Sequence, residues 1–335
     1  MPTPASLSSA PLLQITDLSV QLHGARGLAQ PVQSFSLTLQ RGETLGLIGE
    51  SGSGKTLAML ALMGLLPRNA QASGSVRLNG RELLGLDEKA WCGVRGAQIG
   101  MVFQEPMTAL NPLQRVSDAI AEGLRLHHGL DAASARKQAI DWLARVGIDR
   151  PEQRWRDYPH QFSGGQRQRI VLASALACRP SLLIADEPTT ALDSTVQAQV
   201  LDLLQRLVAE EGMAMILISH DLALVARHVQ RLCVLYAGSL LEQGSSQRLF
   251  AQAAHPYTRA LLAAKPRLGQ TRGTPLAGLP GRLPDLYDLP PGCRFAARCP
   301  QVQDACRSAE PPLLSLPTDD TCPHQVRCLF AQGQS

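Results

Sequence analysis

From about residue 11 to residue 244, apolar runs of strand length alternate with segments of helix length. That alternation predicts an α/β domain on a largely parallel sheet. The runs at 44–48, 182–185 and 214–218 read as buried strands, and each passes directly into polar residues. In sheets of this kind the ligand crevice lies outside the carboxyl ends of the strands. Segment 74–85, with short alternating apolar positions between glycines, predicts a small antiparallel β piece. Between about 106 and 158 the period becomes helical, with helices expected over 116–126 and 133–146, so an inserted helical subdomain is predicted there. Around His255-Pro256-Tyr257 the character changes again, and residues 265–335 are rich in proline and cysteine with few periodic segments. A boundary near 246 therefore divides a domain at 1–245 from a loop-rich, cysteine-containing C-terminal region at 246–335.

Composition narrows the setting. Hydrophobic residues make up 44% of the 335 and charged residues 18%, enough apolar material for a substantial core. The formal charge of +4 is small, and no Lys/Arg block or basic-aromatic stripe stands out, so nucleic acid is not an expected partner. Residues 1–18 lack the basic and apolar segments of a signal peptide. No run approaches the roughly 20 apolar residues that span a bilayer, and the densest, 57–66, contains a glycine and reads as a buried helix. The expected location is cytoplasmic, with any membrane role exercised through a partner. Of eight cysteines, Cys92, Cys178 and Cys233 are scattered, while Cys293, Cys299, Cys306, Cys322 and Cys328 crowd the C-terminal region. A cytoplasmic location argues against disulfides, so the cluster calls for another explanation.

The strongest local signal is Gly49-Glu50-Ser51-Gly52-Ser53-Gly54-Lys55-Thr56, a complete phosphate-binding loop between a strand and a helix. Its glycines let backbone N–H groups turn inward around phosphates, toward which the following helix points its positive end. Lys55 can reach the β- and γ-phosphates, and the Thr56 hydroxyl can ligate Mg²⁺. The apolar run 182–185 ends in Asp186-Glu187: Asp186 is placed to hold the Mg²⁺ shell and Glu187 to polarise an attacking water. Two acids can merely mark a strand end, but beside a phosphate loop the catalytic reading is favoured. His220, after the run 214–218, and Gln104 are weak signals alone, since a histidine at a strand end is usually structural. Ser163-Gly164-Gly165-Gln166 precedes a helical segment at 167–178; Ser163 can cap it while the glycine N–H groups face an anion.

Taken together these motifs resemble the ATP-binding-cassette (ABC) subunits of membrane transporters. The loop at 49–56, Gln104, Ser163 to Gln166, Asp186-Glu187, the Ala191-Leu192-Asp193 turn and His220 stand in that family's order over about residues 12–245. The resemblance implies a P-loop NTPase cassette in which two such domains pack head to tail. Each ATP then lies between the phosphate loop of one and the Ser-Gly-Gly-Gln segment of the other. It further implies that Gln104 senses the γ-phosphate and Mg²⁺, that Glu187 is the general base, that His220 contacts the γ-phosphate, and that Asp193 lies at the turn linking the two sites. One departure stands out: the family's adenine-stacking aromatic is replaced by Leu22, followed by His23.

A narrower resemblance covers nearly the whole chain. Phe103-Gln104-Glu105-Pro106-Met107, Ala109-Leu110-Asn111-Pro112 and His255-Pro256-Tyr257-Thr258-Arg259-Ala260-Leu261-Leu262 are similar to the dipeptide, oligopeptide and nickel importer subgroup. This implies a peripheral ATPase on the cytoplasmic face of the inner membrane. Its expected partners are a second, non-identical ATPase, two permeases and an extracytoplasmic binding protein. The cysteine pattern belongs to the same subgroup, in which some members bind a [4Fe-4S] cluster. The expected ligands are Cys293, Cys299, Cys306 and Cys328, with Cys322 as the spare. Four thiolates suit such a cluster, and a Cys₄ zinc site is the alternative. Rival readings are a soluble cassette ATPase acting on ribosomes or DNA, and an iron–sulfur electron carrier with an accessory nucleotide site. The first rival typically carries two cassettes in one chain or a long coiled-coil insertion, and neither is read in this sequence; the complete hydrolytic set disfavours the second.

Overall fold

A computed structural model describes residues 10–104, 109–190, 192–264, 279, 281–318, 320 and 322–331. Its first six strands are β1 (Leu13–Gly24), β2 (Gly27–Leu39), β3 (Thr44–Ile48), β4 (Ala70–Leu78), β5 (Arg81–Glu82) and β6 (Ile99–Val102). The remainder are β7 (Leu182–Asp186), β8 (Ala214–Ser219), β9 (Arg231–Tyr236), β10 (Ser239–Ser245), β11 (Leu314–Leu316) and β12 (His324–Val326). They form two sheets. The larger runs β11-β12-β10-β9-β3-β8-β7-β6, and the smaller, wholly antiparallel one runs β2-β1-β4-β5. Within the larger sheet, β9, β3, β8, β7 and β6 are mutually parallel, as the buried apolar runs predict.

Period-2 alternation within those runs feeds two cores. Leu45, Leu47, Ile184, Ile216 and Ile218 pack with β1, β2 and the helix Lys55–Leu62 on one face. Leu183, Ala185, Met215 and Leu217 face the helical layer on the other. Two helices of the predicted insertion are present, Val116–His128 and Ala132–Arg145. The first runs on to Gly129, which supplies the left-handed C-cap at φ 65°. The second starts where Asp131 accepts from the N–H groups of Ala133 at 2.8 Å and Ser134 at 3.0 Å.

The C-terminal region is built into this frame. β12 pairs with β10 through Glu242↔Val326 and Gln243↔Gln325, and β11 adds the outer edge. Cys293, Phe295, Ala296 and Cys306 join the same core as the helical layer. Glu242 is the tie: fully buried, it accepts from Ala254 N–H (2.7 Å), His255 N–H (3.0 Å) and the His324 ring (2.8 Å). Burial works to raise its pKa, but these donors outweigh burial and hold the carboxyl below its usual range. His255, equally buried, is driven down to about 4, so its neutral Nδ1 accepts the Tyr257 N–H at 3.0 Å.

Candidate nucleotide site and cysteine pocket

Four neighbouring strands, β3, β8, β7 and β6, end on the same side because they are parallel and in register, Ile48 beside Ser219 and Asp186 beside Ile218. From those ends follow the loop 49–54, His220, the pair Asp186-Glu187 and Gln104. Sequence-distant candidates therefore meet at one crevice.

The loop closes onto the helix Lys55–Leu62 through Gly54, whose φ of 97° suits only glycine. A side chain there would also run into the carbonyl of Pro31. No side chain caps this helix start. Lys55 is buried, and its Nζ donates to the carbonyls of Gly49 (2.8 Å) and Glu50 (2.9 Å) and to Ser53 Oγ (3.2 Å). Burial lowers its pKa, opposed by the charges of Glu187, Asp186 and Glu50. The ammonium thus props the loop open from within, beside two carboxylates.

Asp186 is 2% exposed. Burial raises its pKa, the Glu187 charge adds to this, and a hydrogen bond from the exposed Thr56 hydroxyl together with Lys55 opposes it. Among the described residues its Oδ1 has no hydrogen-bond partner. A buried carboxylate oxygen left so costs stability unless a cation or ordered water meets it. Thr56 and Asp186 thus present hard oxygen donors side by side, the set Mg²⁺ prefers.

Glu187 takes φ 45°, an outlier for a non-glycine residue and of the kind that gathers at functional sites. Three groups from separate segments hold its carboxylate. Gln104 Nε2 donates at 3.2 Å, Thr190 Oγ1 donates at 3.1 Å, and His220 Nδ1 lies at 3.1 Å. Thr190 was missed from the sequence. Its offset of three residues after Glu187, within a turn closed by Thr190 N–H to Glu187 O (3.1 Å), was the available signal.

The second group of candidates stands apart. Ser163 caps the helix Gly164–Leu176 in a reciprocal box: its Oγ accepts from Gln166 N–H at 3.3 Å, and Gln166 Oε1 accepts from Ser163 N–H at 3.1 Å. None of the described hydrogen bonds joins Ser163 to Gln166 with the loop 49–56 of the same chain. Asp193 caps the helix Ser194–Glu210, accepting from the N–H groups of Thr195 (3.1 Å) and Val196 (3.0 Å). Ala191 and the Glu105-Pro106-Met107 stretch lie outside the described residues.

Near Leu22, the C-terminal region supplies an aromatic group that sequence spacing could not reveal. The Tyr287 hydroxyl abuts Gly24, and Arg26 lies 4.8 Å over the Tyr287 ring. Farther along the same region, Cys293, Cys299, Cys306 and Cys328 line one pocket with His255 and Phe295. Burial raises the thiol pKa of Cys293 to about 11 and also raises those of Cys299 and Cys328. Cys322 is not among the lining residues; burial raises its thiol pKa, opposed by Arg231 and seconded by the charges of Glu43 and Asp320. Among the described residues no three His, Cys, Asp or Glu side chains are grouped so as to hold a single metal ion.

A parallel sheet whose adjacent strands end in a phosphate loop, a histidine, an acid pair and a glutamine defines a nucleotide-binding cassette. Residues 32–190 match the family described as ABC transporter, and residues 241–306 match the oligopeptide/dipeptide transporter C-terminal region. The chain is 46% identical over 310 residues to the oligopeptide transport ATP-binding protein OppD of Salmonella typhimurium, covering 92% of this chain and 91% of that one. It is 45% identical over 304 residues to the dipeptide transport ATP-binding protein DppD of Escherichia coli, covering 90% and 92%. Against OppD of Mycobacterium tuberculosis it is 46% identical over 321 residues, 96% of this chain, yet spans only about half (52%) of that relative's length. Among solved structures, the ATP-binding cassette MJ0796, a dimer in a post-hydrolysis state with ADP and Pi, superposes with TM-score 0.62 at 26% identity. That match covers 70% of this chain and 98% of that one. The cbiO1 protein of Clostridium perfringens gives the same TM-score and identity over 72% and 91%. The chain belongs to the ABC transporter ATP-binding family, in its oligopeptide/dipeptide branch.

Proposed function

We propose that this chain is the ATP-hydrolysing subunit that energises an importer of di- or oligopeptides or a similar small solute. The observation that carries the reading is the end of β7, where a buried Asp186 oxygen lacks a partner among the described residues, beside a strained Glu187 held by Gln104, Thr190 and His220. Loop 49–54 and Lys55 bind the phosphates; Thr56 and Asp186 hold Mg²⁺, with Gln104 at its edge. An ion held there would supply positive charge against the charge that develops on the phosphates. Glu187 orients a water and takes its proton, while His220 steers that carboxylate and reaches the γ-phosphate.

Residues Ser163 to Gln166 serve the ATP of a partner cassette, and Asp193 braces the helix beside that segment. Two permeases dock by the helical subdomain, where Leu113 and Leu126 are 86% and 73% exposed. A second, non-identical ATPase and an extracytoplasmic binding protein complete the assembly at the cytoplasmic face of the membrane. No helix among the described residues is long and apolar enough to cross a bilayer, so attachment through permeases fits. Residues 1–245 act as the nucleotide-binding domain and 246–335 as a C-terminal domain. Co-expression with the permeases, followed by peptide uptake and ATPase assays in vesicles, tests the reading. Robust ATP hydrolysis with no permease association would return it to a soluble ATPase.

The four pocket thiols have the number and chemistry of a [4Fe-4S] ligand set, with Cys293, Cys299, Cys306 and Cys328 as ligands, although as described no three of them are grouped around one metal position. Held by these thiolates, such a cluster would supply a cross-link between the turns that carry them. Anaerobic purification should yield a brown protein with about four irons per chain, bleached by Cys293→Ser but not by Cys322→Ser. Stoichiometric zinc, or no metal, would replace or end this assignment.

A further inference from the structure

The phosphate loop is gripped from outside by the C-terminal region. Arg298 donates to both carboxylate oxygens of Glu50, at 2.6 and 3.0 Å, although 248 residues separate them. Its side chain is 5% exposed and also lies over the rings of Tyr236 (5.7 Å) and Phe295 (5.9 Å). At the same residue, the Glu50 N–H donates to the hydroxyl of the fully buried Tyr257 at 2.9 Å. The loop's other shoulder is held indirectly. Arg294 donates to the Ala237 carbonyl and to Gln33 Oε1, pinning the turn between β9 and β10. From that turn the Gly238 N–H donates to the Ser53 carbonyl at 2.9 Å.

Both arginines sit where they do because the backbone around them is closed on itself. Cys293 N–H donates to Cys306 O (2.7 Å), Ala296 N–H to Cys293 O (2.9 Å) and Arg298 N–H to Phe295 O (3.0 Å). Phe295 is 1% exposed and packs against Tyr236 at 5.3 Å and Tyr257 at 5.4 Å between ring centroids. A bidentate arginine–carboxylate fork fixes direction as well as distance. Anchored on such a turn, it holds the Glu50 backbone, whose carbonyl receives Lys55 Nζ. A glycine-rich loop has many conformations to lose on binding phosphate, so contacts that narrow them beforehand raise affinity.

We propose that Arg298 and Tyr257, seconded by Arg294, are positioning residues of the phosphate loop, so that the C-terminal region sets nucleotide affinity from outside the crevice. They act through Glu50 and Ser53 and touch no reacting atom. This rests on the ATP-binding reading and deepens it.

The test measures fluorescent ATP-analogue binding and steady-state ATPase on the full chain, assembled with its partners for turnover. Arg298→Gln and Glu50→Gln should each weaken ATP binding about tenfold, the scale of one lost charge-assisted contact, and raise KM with kcat little changed. Their double variant should lose no more than either alone, because both remove one interaction. Tyr257→Phe, which keeps the buried ring, should weaken binding to a smaller degree, and Arg298→Lys should fall between Arg298→Gln and wild type. Unchanged affinity in the folded Tyr257→Phe and Arg298→Lys variants, or additive losses in the Glu50/Arg298 pair, would overturn the proposal. Absence of ATP binding by the wild-type chain would instead overturn the nucleotide reading itself.

Discussion

The helices Lys55–Leu62 and Gly164–Leu176 both begin on glycine-rich segments, yet their first turns are finished in opposite ways. The first has Gly54 at its N-cap and no capping side chain. Its loop is held at the shoulders, by Lys55 from within and by Tyr257 and Arg298 from outside. The second caps itself: Ser163 and Gln166 satisfy each other's backbone N–H. A helix start leaves up to four N–H groups without intrahelical partners, and a ligand or a side chain can answer them. The first start has no capping side chain to answer those groups, which suits the anion proposed there. The second is stable alone, and of its leading N–H groups only those of Gly164 and Gly165 lie outside the box. Two segments that both look phosphate-seeking in sequence thus differ in what they need from a ligand.

The sharpest break should come at the crevice served by the first helix. Glu187→Gln should keep ATP binding while cutting turnover by about 10²-fold or more, the scale of a lost general base. The amide preserves the shape that Gln104, Thr190 and His220 surround. Wild-type turnover in the assembled complex would remove Glu187 from that role.

Next in size is Gly54→Ala. A Cβ at φ 97° costs on the order of 1–2 kcal/mol and meets the Pro31 carbonyl, so ATP binding should weaken about tenfold. Equal binding, read by nucleotide titration, would show that the uncapped start is not the anion site.

A smaller effect, of opposite sign for stability, is expected at Asp186. Its folded pKa is raised above the ordinary 3.8, chiefly by burial. The resulting penalty is absent below the unfolded value, grows as pH climbs from there toward the raised folded value, and is full above it. Asp186→Asn should therefore stabilise the ligand-free chain at neutral pH by on the order of 1 kcal/mol, and the gain should vanish in acid. The same variant should lose stabilisation by Mg²⁺ with ATP. Thermal melts at two pH values, with and without Mg-ATP, check both. A destabilised variant at neutral pH would mean that the orphan oxygen is satisfied in solution.

The contrast also explains what was legible in the sequence. The loop 49–56, Asp186-Glu187 and the buried strands could be read because their chemistry lies within a few consecutive residues whose period or motif is local. The cap at Ser163 was readable for the same reason, since its box closes within four positions. The grip of Arg298 on Glu50 spans 248 residues, and β12 meets β10 through two register pairs in a strand of three residues. Neither leaves a periodic trace. The C-terminal region read as loop-rich because its order comes from Glu242, Phe295 and the arginines packing onto the cassette, not from repeating apolar positions. Asp193, expected at a turn between sites, adds what the sequence reading did not include: its carboxylate caps the helix that follows, accepting from the N–H groups of Thr195 and Val196.

The smallest effect separates the two jobs of Ser163. Ser163→Ala removes the cap and should cost about 1 kcal/mol. The helix should survive, because Ile170, Leu172, Ala173 and Leu176 are fully buried. ATP binding by the isolated chain should not change, since no described hydrogen bond joins Ser163 to the loop 49–56. Ser163→Asp supplies the control. Aspartate caps as well as serine, so the thermal midpoint should stay near wild type. Its carboxylate, however, would point the wrong charge at a phosphate brought by a partner cassette, and assembled turnover should fall further than in Ser163→Ala. If Ser163→Asp instead turns over like wild type in the assembled complex, this helix start is a structural cap alone, and the contrast between the two becomes one of folding and not of ligand.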